Sequence, residues 1–163
     1  MNKLKVGLII LINLILQTTV ISRINILGVK ASLSIPIIIG LAIGFGPYVG
    51  GFSGLIIGLI EDILFSKVLG VRALIYFIIG FIIGNSEVGI NKDDVRSGLV
   101  LTIIATIGNY IGNVAIGKVI GQDINILKYL LGPILIEIII NSLLYVLVFY
   151  LFKKIFVFPR FRL

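Results

Sequence analysis

The chain has 163 residues, 59% of them hydrophobic and 13% charged, and its mean hydropathy is +1.22. Soluble domains carry about 25% charged residues, so this much apolar surface cannot hide in one small core and the chain reads as an all-α integral membrane protein. The absence of Cys and His excludes disulfides, thiol nucleophiles, the usual zinc sites and imidazole acid–base chemistry, while the net charge of +7 is scattered through loops and termini with no long basic run, so no nucleic acid is expected as partner.

A membrane-spanning helix needs about 20 apolar residues. The first such segment is 4–21. Its basic start resembles a signal peptide, but the apolar run from Val6 to Ile21 is long for one and no Ala-x-Ala site follows. It reads as a retained helix, with Asn13 and Gln17 four residues apart. The second segment, 34–46, begins near Ser34 and Pro36 and is interrupted at Gly46-Pro47. Pro fits the first turn of a helix and disfavours helix in the residue before it. The second helix is therefore short or bent, and such a segment survives only against protein or beside a cavity.

The third helix, 48–66, carries Gly50, Gly54 and Gly58 every four residues, and Asp62 falls next in the series. Positions i and i+4 share a helix face, so one face is flat, exposes its backbone and ends in a carboxylate. Small residues at this spacing let membrane helices pack closely. An acid beside that seam suggests a contact or a site, because a charge facing lipid is costly. Glu61 projects about 100° from Asp62, so the two cannot both face one partner squarely. That geometry is also poor for paired-carboxylate glycoside chemistry. Lys67 and Arg72 follow closely and can neutralise the two acids. The glycine-rich stretch 44–58 lacks the Lys-Ser/Thr ending of a phosphate loop.

The fourth helix is placed at 71–85 and the fifth at 97–117, where Asn109 and Asn113 lie four apart beside Gly108 and Gly112. The sixth, 128–152, places Glu137 about nine residues in, roughly 13 Å along the axis and near mid-membrane. An ionised acid there is expensive, so Glu137 is expected to stay protonated or to find a polar partner. Asn141 and Tyr145 follow at four-residue steps. Amides in hydrocarbon want partners, so the stripes on helices one, five and six are expected to converge inside the bundle as a polar network. That network reads as structural glue between helices; a substrate, proton or partner site is the alternative.

Lys3 and Lys5 mark the start of the chain and Lys153, Lys154, Arg160 and Arg162 its end, with Lys92 and Arg96 between helices four and five. Positive-inside logic then places both termini in the cytoplasm and requires an even number of crossings, six rather than five. Arg23, Lys30, Lys67, Arg72, Lys118 and Lys128 fall on the other side and make the bias modest. The loops are short, and residues 1–163 read as one polytopic membrane domain.

The core from Gly46 to Gly80 carries a fuller pattern: Gly46, Gly50, Gly51-Phe52, Gly54-Leu55, Gly58-Leu59, Asp62, Leu69-Gly70, Leu74-Ile75-Tyr76 and Ile79-Gly80. It resembles the rod shape-determining protein MreD family, and Leu16-Gln17, Pro133 and Asn141 agree with that resemblance. The resemblance implies a non-enzymatic, cofactor-free component of the bacterial cell-elongation machinery, multi-pass in the plasma membrane and supporting lateral peptidoglycan synthesis. Its implied partners are an MreC-like single-span protein, bound through helices, and MreB filaments, RodA and a class B penicillin-binding protein in the wider complex. The implied fold is a six-helix bundle like the S-component, the substrate-binding subunit of energy-coupling-factor (ECF) transporters. Asp62 matches the family's acid after the glycine seam, and Gly54 and Gly58 are expected in packing or partner contact. Glu61 and Glu137 lie outside the family pattern. The alternative is a vitamin-binding ECF subunit itself. The Ala-x-x-x-Ala docking motif usual on the first helix of those subunits is missing, since that helix contains no Ala.

Overall fold

The computed structural model describes residues 3–19, 21, 25–26, 29–30, 32–66, 68–86, 94–121 and 133–156. Among them run six helices: α1 (Lys3–Thr19), α2 (Ser34–Phe45), α3 (Pro47–Phe65), α4 (Val71–Asn85), α5 (Val95–Val119) and α6 (Pro133–Ile155). Between α1 and α2 a small antiparallel ribbon pairs β1 (Asn25–Ile26) with β2 (Val29–Lys30), Asn25 opposite Lys30 and Ile26 opposite Val29. The expected first turn of the last helix, 128–132, lies outside the described residues, as do Arg23, Lys67, Lys92, Arg160 and Arg162. The last helix runs on to Ile155, past its expected end at 152.

The Gly46-Pro47 break forms as its residue types dictate. Gly46 adopts φ +88°, closed to most side chains, and its N–H still donates to Ala42 O at 2.9 Å, finishing α2. Pro47 then occupies the first turn of α3, where its missing N–H costs nothing. The 12 residues of α2 make a rod roughly 18 Å long, well short of a hydrocarbon core about 30 Å thick. It is buried instead: Ile35, Ile38, Ile39 and Leu41 are at most 1% exposed, and α2 touches each of the other five helices.

Around this centre the usual distribution of side chains is inverted. On α6, Leu135, Ile139, Leu143, Leu147 and Leu151 form an exposed stripe at four-residue steps, while Asn141 and Tyr145 are buried on the opposite face. On α3, Phe52, Leu55, Leu59 and Ile63 point outward while Ser53, Glu61 and Asp62 are buried. Apolar outside and polar inside is the arrangement lipid favours, since hydrocarbon offers polar groups no partner. Three helices, α3, α5 and α6, are long and apolar enough to cross a membrane; α1, α2 and α4 are shorter apolar helices.

Candidate functional site

The glycine series on α3 is filled from within the chain. α4 runs antiparallel along it at a separation that only glycine permits. A Cβ on Gly54 would fall 2.4 Å from the Tyr76 carbonyl oxygen, and one on Gly58 would fall 2.6 Å from Ala73 Cα. At Gly50 the obstacles are Ala42 Cβ of α2 at 2.5 Å and the Gly80 carbonyl oxygen at 2.7 Å. α4 answers with its own glycines, since a Cβ on Gly80 would lie 2.3 Å from Gly50 O and one on Gly84 would lie 2.5 Å from Pro47 Cα. The seam is thus backbone against backbone, the close approach that stabilises helix pairs in lipid through van der Waals contact.

Asp62 ends the series at the point where α4 begins. It is fully buried, and its Oδ2 accepts from the N–H groups of Gly70 (2.9 Å), Arg72 (2.9 Å) and Ala73 (3.3 Å). Its Oδ1 accepts from Ser66 Oγ at 3.0 Å. The first N–H groups of a helix have no partner within it, and an anion there is favoured by the helix dipole. One carboxylate therefore caps α4 from the neighbouring helix. Gly70, at φ +95°, makes the turn that brings those N–H groups to it.

Glu61, 2% exposed, points elsewhere. Its Oε1 accepts from Ser34 Oγ of α2, and its Oε2 accepts from Tyr76 Oη at 3.2 Å. Arg72 Nη1 stands 3.6 Å from the same Oε2 and supplies the countercharge. Ser34 Oγ in turn accepts from Asn13 Nδ2 at 3.0 Å, so the chain of bonds spans α1, α2, α3 and α4.

The start of α2 gathers two of the polar stripes. Leu33 N–H donates to Gln17 Oε1 of α1 at 2.9 Å, and Ser32 N–H donates to Asn141 Oδ1 of α6 at 3.2 Å. Asn141 Nδ2 donates to Thr106 Oγ1 of α5 at 3.2 Å. Thr106 and Thr102 pass their own hydroxyl protons back to Thr102 O and Gly98 O. Tyr145, 2% exposed, fills the notch left at Gly98, where a Cβ would fall 1.8 Å from Tyr145 Oη.

Asn109 and Asn113 are half-buried and bond to each other, Asn113 Nδ2 donating to Asn109 O (2.8 Å) and to Asn109 Oδ1 (3.1 Å). Among the described residues neither bonds to another helix. Glu137 is half-buried one turn from Asn141, with the Arg72 charge in range. The structure therefore joins Asn13, Gln17, Glu61 and Asn141 through the segment 32–34, sets Glu137 beside Asn141, and leaves Asn109 and Asn113 bonded to each other. Ser32, Ser34, Tyr76, Thr102 and Thr106 belong to the network, although none of them is expected in it from the sequence. Thr102 and Thr106 do show the four-residue spacing that would have flagged them.

Among the described residues no three carboxylate, imidazole or thiol groups gather as a metal site. No curated protein and no solved structure matches the chain. A model of the family described as rod shape-determining protein MreD matches residues 1–155. That span takes in all six helices, the glycine seam and the Asp62 cap, and on it the chain belongs to the MreD family, a rod-shape-determining component with helices able to span a membrane.

Proposed function

We propose that this chain is a non-catalytic, multi-pass component of the bacterial plasma membrane that supports lateral peptidoglycan synthesis by holding an MreC-like single-span protein through helix contacts. MreB filaments, RodA and a class B penicillin-binding protein complete the assembly. The observation that carries this reading is the family match over residues 1–155. It is supported by the state of the interior acids: Asp62 is occupied as a helix cap and Glu61 is held by Ser34, Tyr76 and Arg72. The six helices form one membrane-embedded bundle in this proposal, with the short α2 enclosed by the others and both termini cytoplasmic. Supporting that, Lys5 Nζ donates to the Ile155 carbonyl at 3.2 Å, so the start of α1 and the end of α6 share one end of the bundle with exposed Lys153 and Lys154. The short, enclosed α2 supports an arrangement like the ECF S-component.

The glycine face of α3 is consumed by α4, so the partner helix docks on an outer face. The experiment is co-purification in mild detergent with the MreC-like protein of the same organism, with photo-crosslinkers placed at outward Phe52 and Leu143 and at inward Gln17. Capture by the wild type, with crosslinks from an outward position and none from Gln17, is expected. A folded wild type that captures nothing overturns the proposal.

A further inference from the structure

The ring of helices around α2 has one open side. α1 packs on α3, α3 on α4, α4 on α5 and α5 on α6, while α6 and α1 barely touch. These two are tied at two levels. At one, Lys5 Nζ of α1 donates to Ile155 O of α6 at 3.2 Å. At the other, the segment 32–34 bridges them, Leu33 N–H donating to Gln17 of α1 and Ser32 N–H to Asn141 of α6. Lys5 and Gln17 are 12 residues apart, which makes the slot between the ties roughly 18 Å high.

The walls of the slot are apolar. Ile12 and Leu16 follow Lys5 on α1 within about 20° of its direction, and they are 46% and 39% exposed. α2 forms the back, where Gly40 and Ile43 are half-buried while Ile38, Ile39 and Leu41 are enclosed. The foot is basic. Lys5, Lys153 and Lys154 are all exposed there. The carbonyls that end α6 favour cations, yet they leave the charge uncompensated: Lys153 Nζ lies 5.7 Å over the Phe149 ring, and among the described residues none of the three lysines forms an ion pair.

Charge and depth together select the occupant. Three cations at the foot of an apolar slot call for an anion that carries a hydrocarbon chain. Roughly 18 Å is the depth of one leaflet, about half of a hydrocarbon core about 30 Å thick. A partner helix long enough to span would have to pass both the Lys5 bridge and the segment 32–34. We propose that the slot between α1 and α6 binds an anionic phospholipid of the phosphatidylglycerol type. Its phosphodiester sits among Lys5, Lys153 and Lys154, and one acyl chain lies along Ile12 and Leu16. Only the choice of the cytoplasmic leaflet rests on the topology proposed above. Binding needs no partner protein, so its test and the co-purification succeed or fail separately.

The test is native mass spectrometry of the full chain released from vesicles of equal parts phosphatidylglycerol and phosphatidylethanolamine. The wild type is expected to enrich phosphatidylglycerol about tenfold. Lys5→Gln combined with Lys154→Gln is expected to remove that enrichment while circular dichroism and elution volume stay as in the wild type. Should that protein not fold, Lys153→Gln with Lys154→Gln carries the same test. Lys118→Gln, in the exposed last turn of α5 at the other end of the bundle, is expected to leave the enrichment intact. Ile12→Trp, which fills the slot without changing its charge, is expected to lower it. A folded wild type without enrichment, an enrichment that survives the paired lysine changes, or an equal loss with Lys118→Gln, which would report net charge alone, overturns the proposal. So does an Ile12→Trp protein that keeps its lipid but no longer captures the single-span protein, which would put a helix where the lipid is placed.

Discussion

The α3–α4 and α5–α6 pairs hold antiparallel helices together with different material. Along α3–α4 the contact is main chain on main chain, with five glycine positions whose added Cβ would lie within 2.7 Å of backbone atoms of the opposite helix. Between α5 and α6 the contact is made by side chains: Tyr145 in the Gly98 notch and Asn141 on Thr106. Lipid supplies no hydrophobic drive between helices, so both pairs depend on close packing and hydrogen bonds. The first has no part that can yield; the second has a side chain that can.

The largest effect is therefore expected at the first pair. Gly54→Ala puts a methyl group against the Tyr76 carbonyl oxygen, which cannot turn aside without moving α4. Overpacking of a fixed contact costs about 1–3 kcal/mol and more where nothing relaxes, so about 3 kcal/mol is expected in detergent unfolding, and Gly54→Leu should not yield a monodisperse protein. A Gly54→Ala protein as stable as the wild type would show that the seam is looser than described. For the same reason, loss of partner capture in Gly58→Leu would report a broken fold, and only outward substitutions can report the docking face.

The next effect belongs to the end of that seam. Asp62→Ala strips the N–H groups of Gly70, Arg72 and Ala73 of their acceptor and is expected to cost about 2–3 kcal/mol. Asp62→Asn keeps an oxygen for those N–H groups and an amide that can donate to Ser66, so about half that loss is expected. If Asn restores stability but not capture of the single-span protein, the negative charge acts on the partner as well as on α4.

These expectations also separate what the chain displays from what it conceals. A glycine every fourth residue can be read directly, because the only side chain in question is the missing one. So can a helix broken at Gly46-Pro47, which is why α2 reads as short. The capping role of Asp62 is hidden, since it depends on where α4 starts in space. The stripes show the same limit. Asn13, Gln17 and Asn141 are legible as polar positions, but their meeting point, residues 32–34, offers only two serines and a leucine. Asn109 and Asn113 have the same spacing as the others and yet, among the described residues, bond each other. The ribbon of β1 and β2 escapes a hydropathy reading altogether, with two residues per strand and no alternation to detect.

A smaller effect, and one that can be reversed, is expected in the second pair. Gly98→Ala collides with the Tyr145 ring, with Oη at 1.8 Å and Cζ at 2.1 Å. A side chain can move where a carbonyl cannot, so about 1–2 kcal/mol is expected. Gly98→Ala combined with Tyr145→Leu should recover part of the loss relative to the sum of the two single changes, a coupling that a double-mutant cycle measures directly. No partner substitution of this kind should rescue Gly54→Ala, because the obstacle there is the peptide backbone of residue 76 whatever side chain it carries. Rescue at both pairs, or at neither, would erase the distinction between them.

The smallest effect tests whether glycine matters where nothing presses on it. Gly108 lies on the same helix as Gly98, yet a Cβ there would meet no atom within 4 Å. In a helix exposed to water, Ala for Gly would stabilise by about 1 kcal/mol. In hydrocarbon the backbone is already committed to its internal hydrogen bonds, so Gly108→Ala should raise stability by no more than about 0.5 kcal/mol. The Gly98 and Gly108 variants of one helix would then differ only in what stands opposite, which isolates the contact from the residue type. A clear destabilisation of Gly108→Ala in the purified chain would mean that another segment of the chain packs on this side of α5. Unchanged stability with lost capture of the single-span protein would instead place the partner helix against Gly108, making the open side of α5 the counterpart of the side of α3 that α4 fills.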